Sequence, residues 1–297
     1  MVERPAADVD SRAARLRFER AAATYGAASR LEAEIGTRML ERLEYVKLAP
    51  QRILDAGAGP AREARALAGR YRGAAVLALD FSLAMLRQGR APLHPLARLG
   101  ARFIAPRFAP LAVCAEFGHL PLAGGAAGLV WSNMALHWAP DAFAALREFQ
   151  RVLTPEGLLM FSTLGPDTLR ELRAAAGAER VHRFIDMHDL GDMLLAAGFS
   201  APVMDMELVK LRYAQPRKLL EDLRASGQTL ARPDRARGLS GRAFLRRLHA
   251  ALAAQARDTG LDVSFEVVYG HAWKGAATRT ADGRTIVRTD FPRHKRN

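Results

Sequence analysis

One cysteine, Cys114, stands among 297 residues, so no internal disulfide can form, and no Cys/His cluster has the spacing of zinc ligands. A reducing compartment and the absence of a metal are therefore expected. The opening Met-Val-Glu-Arg-Pro lacks the basic-then-apolar order of a secretory signal. No window approaches the run of about 20 apolar residues that crosses a bilayer. The expectation is a soluble cytoplasmic protein without a membrane span. Carboxylates are scarce as well: 44 Lys and Arg face 31 Asp and Glu, a balance of +13. An acidic protein, a nucleic acid or an anionic surface would match that excess. The arginines are spread through helices rather than gathered beside aromatics, which equally describes solvated basic faces.

What is present is more specific. Arg52-Ile-Leu-Asp-Ala-Gly-Ala-Gly-Pro60 is an apolar strand that runs into an acid and then two glycines one residue apart. Gly57 and Gly59 lack a Cβ, so the backbone can turn sharply and lie against a ligand, and a helix over residues 61–70 would aim its free N–H groups at the same place. Ala74-Ala-Val-Leu-Ala-Leu-Asp80 follows as a short apolar run ending in an acid that can accept both hydroxyls of a ribose. A dinucleotide fingerprint requires Gly or Ala where this chain has Arg62. Asp55 also suits a cationic amino-acid moiety better than an anionic pyrophosphate, because a carboxylate attracts an ammonium. S-adenosylmethionine satisfies both conditions.

The periodicity predicts two helices over residues 11–46, with buried stripes at Leu16, Phe18, Tyr25, Leu31, Ile35, Met39, Leu40 and Leu43, meeting near Tyr25-Gly26. Alternating strands and helices then follow: strand 52–55, helix 61–70, strand 75–80, helix 82–89. A long basic loop over 91–110 leads to strands 111–114 and 129–133, helix 141–152, a Thr154-Pro-Glu-Gly turn and strand 157–163. A helix over 189–197, ended by Gly198, precedes two strands, 203–213 and 263–273, expected to pair antiparallel. Between those strands lies an Arg-rich helical stretch, 216–257. The expected organisation is a helical cap (1–49), a cofactor-binding α/β core (50–215), a helical insertion (216–260), and a closing strand with a basic tail (261–297), together forming one structural domain.

These residues resemble the class I S-adenosylmethionine-dependent methyltransferases, a Rossmann-like α/β fold whose sheet has seven strands with the last antiparallel. Longer strings narrow the likeness: Val113-Cys-Ala-Glu-Phe117, Trp131-Ser-Asn-Met-Ala-Leu-His-Trp138, Phe161-Ser-Thr-Leu-Gly-Pro-Asp-Thr-Leu-Arg-Glu-Leu172, Asp186-Met-His-Asp-Leu-Gly-Asp192 and Glu266-Val-Val-Tyr-Gly-His-Ala-Trp-Lys274. Together they look like the malonyl-acyl-carrier-protein O-methyltransferase family of biotin synthesis. The resemblance implies methyl transfer to the free carboxylate of a malonyl thioester on an acyl carrier protein. Such carriers are acidic, which gives the excess positive charge a use, with the 216–257 stretch as one possible docking face.

Carried over position by position, the resemblance implies Asp55, Gly57 and Gly59 around the methionine moiety and Asp80 at the ribose. Phe81 and Met85 fall beside the adenine, Glu116 before its amino group, Asn133 at the end of the fourth strand, and Tyr25 as a lid. The chain departs from the family at Ala58, Ala61, Glu116 and Gly128. An ionised carboxylate needs no general base, so proximity and orientation can supply most of the rate. The malonyl charge calls for a partly buried cation or donor, and His137, Arg170, Arg173 and Tyr213 are candidates. Two other readings share these features: a methyltransferase-like protein with another reaction, such as a hydroxylase or assembly factor, and a cofactor-binding protein without catalysis. Ser132-Asn-Met-Ala stands where a base-amino methyltransferase would carry an Asn/Asp-Pro-Pro-aromatic string, so no nucleic-acid substrate is expected.

Overall fold

The computed structural model describes residues 9–89, 109–238 and 240–275. The expected basic loop over 91–110 falls almost wholly outside the described residues, as does the basic tail beyond residue 275.

Strand β1 (Arg52–Ala56), helix α3 (Arg62–Arg70), β2 (Ala75–Asp80), α4 (Leu83–Gln88), β3 (Leu111–Cys114), β4 (Ala127–Ser132), α5 (Ala142–Val152) and β5 (Leu153–Leu164) form the alternating core. Helices α1 (Ser11–Ala28) and α2 (Arg30–Arg42) precede it. After it come α6 (Arg170–Ala176), α7 (Met187–Ala196), β6 (Phe199–Tyr213), α8 (Pro216–Ala225), α9 (Arg242–Gln255) and β7 (Leu261–Lys274). The seven strands lie in the order β3-β2-β1-β4-β5-β7-β6. β1 to β5 pair in parallel, and β7 runs antiparallel to both of its neighbours. This is the class I methyltransferase sheet.

Because successive strand side chains point to opposite faces, near-continuous apolar runs supply two cores at once. Ile53, Leu129, Trp131 and Met160 pack on one face with Leu31, Ile35 and Met39 of α2. Leu54, Val130, Leu159 and Phe161 pack on the other with Leu146 and Phe149 of α5. Trp131 and Phe149 are fully buried, Phe149 contributing roughly 1.5–3 kcal/mol by its removal from water. Leu219, Leu223, Leu248 and Leu252, from the helices between β6 and β7, join the first of these cores.

Several local expectations are corrected. The first two helices meet at Ser29, and Gly26 lies inside α1, where a side chain would meet nothing. Leu16 is 47% exposed, since α1 buries only the stripe that includes Ala14, Phe18, Ala21 and Ala22. Thr154-Pro-Glu-Gly does not separate α5 from β5 but kinks the strand itself. Glu156 has φ 59°, and pairing resumes beyond it after a register shift between Ala127 and Leu129. The last two strands each begin earlier than alternation suggested, β6 absorbing the extra length at a second shift beside Ala201 (φ 48°).

Candidate functional site

The site forms where the carboxyl ends of β1, β2 and β4 meet α1. Gly57 and Ala58 donate their N–H groups to Leu79 O at 2.8 and 2.9 Å, which folds the loop after β1 over the end of β2. Gly57 has φ +81°, and a Cβ there would collide with Ala135 Cβ. Gly59, at φ +51°, would direct a Cβ into open space near Tyr25 Cε1, 3.8 Å away. Only glycine leaves this cradle open without strain.

Asp80 completes the turn: its Oδ2 accepts the Gly59 N–H at 2.9 Å and its Oδ1 the Ser82 N–H at 2.8 Å. Burial pushes its carboxyl up to about 6, against the opposing pull of those two bonds. Each oxygen keeps a second acceptor position for a ligand hydroxyl.

A cleft of about 600 Å³ opens here, walled by Gly57, Gly59, Asp80, Phe81, Met85, Glu116 and Asn133 below and by Phe18 and Tyr25 of α1 above. Asp55 is the one cofactor candidate that does not reach the wall. It is buried behind the loop, its Oδ2 has no hydrogen-bond partner, and desolvation raises its carboxyl well above the usual range. Asn133 Nδ2 donates to Glu32 O at 2.8 Å, and its Oδ1 accepts from Ser162 Oγ at 2.8 Å, tying β4 to α2 and β5. Glu32, raised to about 7 by burial, and Glu63, raised by burial, stand close by, and both add to the upward push on the Tyr25 phenol that burial begins. Four desolvated carboxyl groups thus ring the cradle, an arrangement that favours a cation over an anion.

A second space, a chamber of about 1160 Å³, lies under α8 and α9, with Leu169, Leu172, Leu220 and Leu248 among its walls. Trp138 lines both cleft and chamber. Its ring stands edge-on to Phe18, centroids 4.9 Å apart, and 5.5 Å from His137. Trp138 ends a 3-10 turn, Leu136–Trp138, which Asp141 then stops by capping α5 through the Ala144 N–H.

The acceptor candidates are not brought together. His137 borders the chamber, with Nδ1 3.2 Å from Thr163 Oγ1, and burial, helped by His182, pushes it down to about 3, so it is neutral. Arg170 is paired with Glu171 at 3.2 Å on an exposed surface. Arg173 lines a different cleft. Tyr213, raised to about 12 by burial, lies in a groove beside Arg30 and Glu32. Phe18, Trp138, Glu32 and Glu63 are site residues that the sequence reading did not single out. For Trp138 the signal was its place directly after His137. For the two glutamates there was none, because helix residues of that type usually face water. Among the described residues no group of three or more His, Cys, Asp or Glu could hold a metal.

The methyltransferase domain family matches residues 54–161. The chain is 49% identical over 277 residues to a malonyl-[acyl-carrier protein] O-methyltransferase of Methylovorus sp., covering 91% of this chain and 90% of the relative. It is 46% identical over 289 residues to one from Gallionella capsiferriformans, covering 95% and 97%. A crystal structure of a putative methyltransferase from Bacillus halodurans superposes with a TM-score of 0.57 at 15% identity over 81% of this chain and 99% of that one, a likeness of fold alone.

Proposed function

We propose, because this chain belongs to the malonyl-[acyl-carrier protein] O-methyltransferase family, that it transfers a methyl group from S-adenosylmethionine to the free carboxylate of a malonyl thioester on an acyl carrier protein, an early step of biotin synthesis. The observation that carries the reading is Trp138, a single ring shared by the cleft that Asp80 and Glu116 line and by the apolar chamber. Two substrates, one in each space, would meet at that wall.

The residues present suit the cofactor. The buried Asp55 carboxyl, whose Oδ2 lacks a partner behind an open glycine cradle, suits a cation better than an anion, and the acids Asp80 and Glu116 on the cleft wall can accept from ribose hydroxyls and an adenine amino group. Phe81 and Met85 offer apolar surface to a base, Asn133 fixes the end of β4, and Tyr25 on α1 covers the loop. When bound, the cofactor supplies a methyl on a cationic sulfur whose transfer to a carboxylate extinguishes both charges, a change favoured by a dry wall over water. Phe18, Met85 and Trp138 keep water from that wall. His137, held neutral, can lend a hydrogen bond without fixing the acceptor as an ion pair, whereas an arginine at the reacting carboxylate would stabilise the ground state more than the transition state. Of the four acceptor candidates, His137 is the one this reading retains.

Mass spectrometry of malonyl-carrier protein incubated with the protein and S-adenosylmethionine tests the reading. One added methyl on the malonyl group is expected. Cofactor binding with no mass change on that acceptor, or methylation of another protein or of nucleic acid in its place, overturns it.

A further inference from the structure

Beside the chamber lies a separate basic cleft of about 870 Å³ that the methyl-transfer reading leaves without a role. Its lining includes Arg173, Arg183 and Arg232 against one carboxylate, Glu179. It also shares two residues, His182 and Phe184, with the chamber. From there a chain of rings leads inward: His182 stands 5.0 Å from Trp138, the ring that also lines the cofactor cleft.

We propose that this cleft binds the phosphodiester of the carrier protein's prosthetic arm, so that the arm enters past His182 and Phe184 and delivers its thioester to the chamber. The inference rests on the acceptor being a carrier-bound thioester, as argued above. An arm of that kind has one anionic group at its protein end and a largely uncharged body, which matches a cationic mouth followed by an apolar interior.

Arg173 is built for such a ligand. Its Nη2 donates to Pro166 O at 2.6 Å and Thr168 O at 3.1 Å, which fixes the guanidinium plane. No carboxylate pairs with it among the described residues, and its Nε and Nη1 remain for an anion. Arg183 adds a more exposed charge, 3.8 Å from Asp234. Arg232 is a positioning residue: 3% exposed and bound to Asp234, it donates to Ala178 O and Val181 O at 3.3 Å. It thereby holds the segment that separates cleft from chamber. The placement also explains why Arg173 does not stand at the reacting carboxylate, where the sequence reading had put it as a candidate.

The test compares two small acceptors, malonyl-phosphopantetheine and malonyl-pantetheine, which differ only in the phosphate. The wild-type protein should favour the phosphorylated acceptor about tenfold or more in kcat/KM, and Arg183→Gln and Arg173→Gln should each bring the ratio close to one. A wild-type ratio near one, or a ratio that survives both substitutions, overturns the proposal. Arg183 is an exposed side chain, so its replacement leaves the fold intact even if Arg173→Gln does not. If the wild-type protein methylates neither small acceptor, the functional reading is still decided by its action on malonyl-carrier protein. The phosphate site is then still read by calorimetry with phosphopantetheine, whose binding Arg183→Gln should weaken about tenfold and whose failure to bind the wild type overturns it.

Discussion

Asp80 Oδ2 accepts the backbone N–H of Gly59 at 2.9 Å, so the acid at the end of β2 holds the glycine loop at the end of β1. The same carboxylate faces the cleft. One side chain therefore shapes the cradle and offers acceptors to whatever lies in it. Asp80→Ala should lose charge-assisted bonds worth roughly 1.5–3 kcal/mol, or about one to two decades of cofactor affinity. Isothermal calorimetry with S-adenosylhomocysteine checks this; a change smaller than twofold would mean that the acid only holds the loop.

The two glycines should fail differently. At Gly57 a methyl collides with Ala135, and φ +81° adds strain, so Gly57→Ala should lower stability by about 3 kcal/mol and melt well below the parent. At Gly59 the methyl has room, and the cost is the backbone strain of about 1–2 kcal/mol alone. Ala61 already tolerates a left-handed φ of 55° two residues onward. Gly59→Ala should thus stay folded yet bind cofactor poorly, its methyl projecting toward Tyr25. Thermal melts and calorimetry on the pair separate the two effects, and equal melting temperatures would refute the contrast.

The glycine loop was legible because it is local: Gly57 and Gly59 follow β1 and Asp80 ends the next strand, so spacing alone brings these three to one cleft, whereas Asp55 stays buried behind it. The parallel pairing of β1 to β5 was legible for a related reason, since strands joined through helices pair in parallel. The acceptor side was not. Its chamber is walled by Leu169 and Leu172 of one segment and by Leu220 and Leu248 of others, and only the antiparallel insertion of β7 beside β5 brings these together. Arg170 and Arg173 share a helix end, yet one faces solvent and the other a cleft, a difference of orientation that residue type does not encode. The burial of Glu32 was hidden for the opposite reason. It neighbours Leu31 on a helix that looks amphipathic, and its desolvation follows from Asn133 and α3 packing against that face.

Glu32 should make stability depend on pH. Its folded value, about 7, lies above its ordinary 4.5, because burial penalises the charged form. The folded chain therefore holds a proton that the unfolded chain releases, and the stability this gives is present below about pH 4.5 and lost as pH rises through about 7. Asp80, raised to about 6, acts in the same direction, whereas His137, lowered to about 3, acts in the opposite one. Glu32→Gln isolates the first contribution. The variant should gain on the parent as pH rises from 5 to 8, reaching about 1–3 kcal/mol. Urea unfolding across that range measures the difference, and a gap that does not widen with pH would show that Glu32 is not desolvated as described.

The basic surface of α9 can be separated from the chamber beneath it. Phe244, Leu245 and Leu248 line the chamber, while Arg242 and Arg246 on the same helix are exposed. Exposed charges of this kind act on encounter rate and are screened beyond a Debye length of about 10 Å at 0.1 M salt. If they steer an acidic carrier toward the chamber, kcat/KM on malonyl-carrier protein should fall steeply between low and physiological ionic strength. On malonyl-pantetheine, which carries no phosphate and no protein, it should hardly change. Reversing Arg242 and Arg246 to Glu should lower kcat/KM for the carrier-bound acceptor about tenfold at low salt and flatten its salt dependence. Equal salt responses from the two acceptors, with no effect of the reversal, would make the charge of this helix compositional and leave recognition of the carrier to the arginine cleft alone.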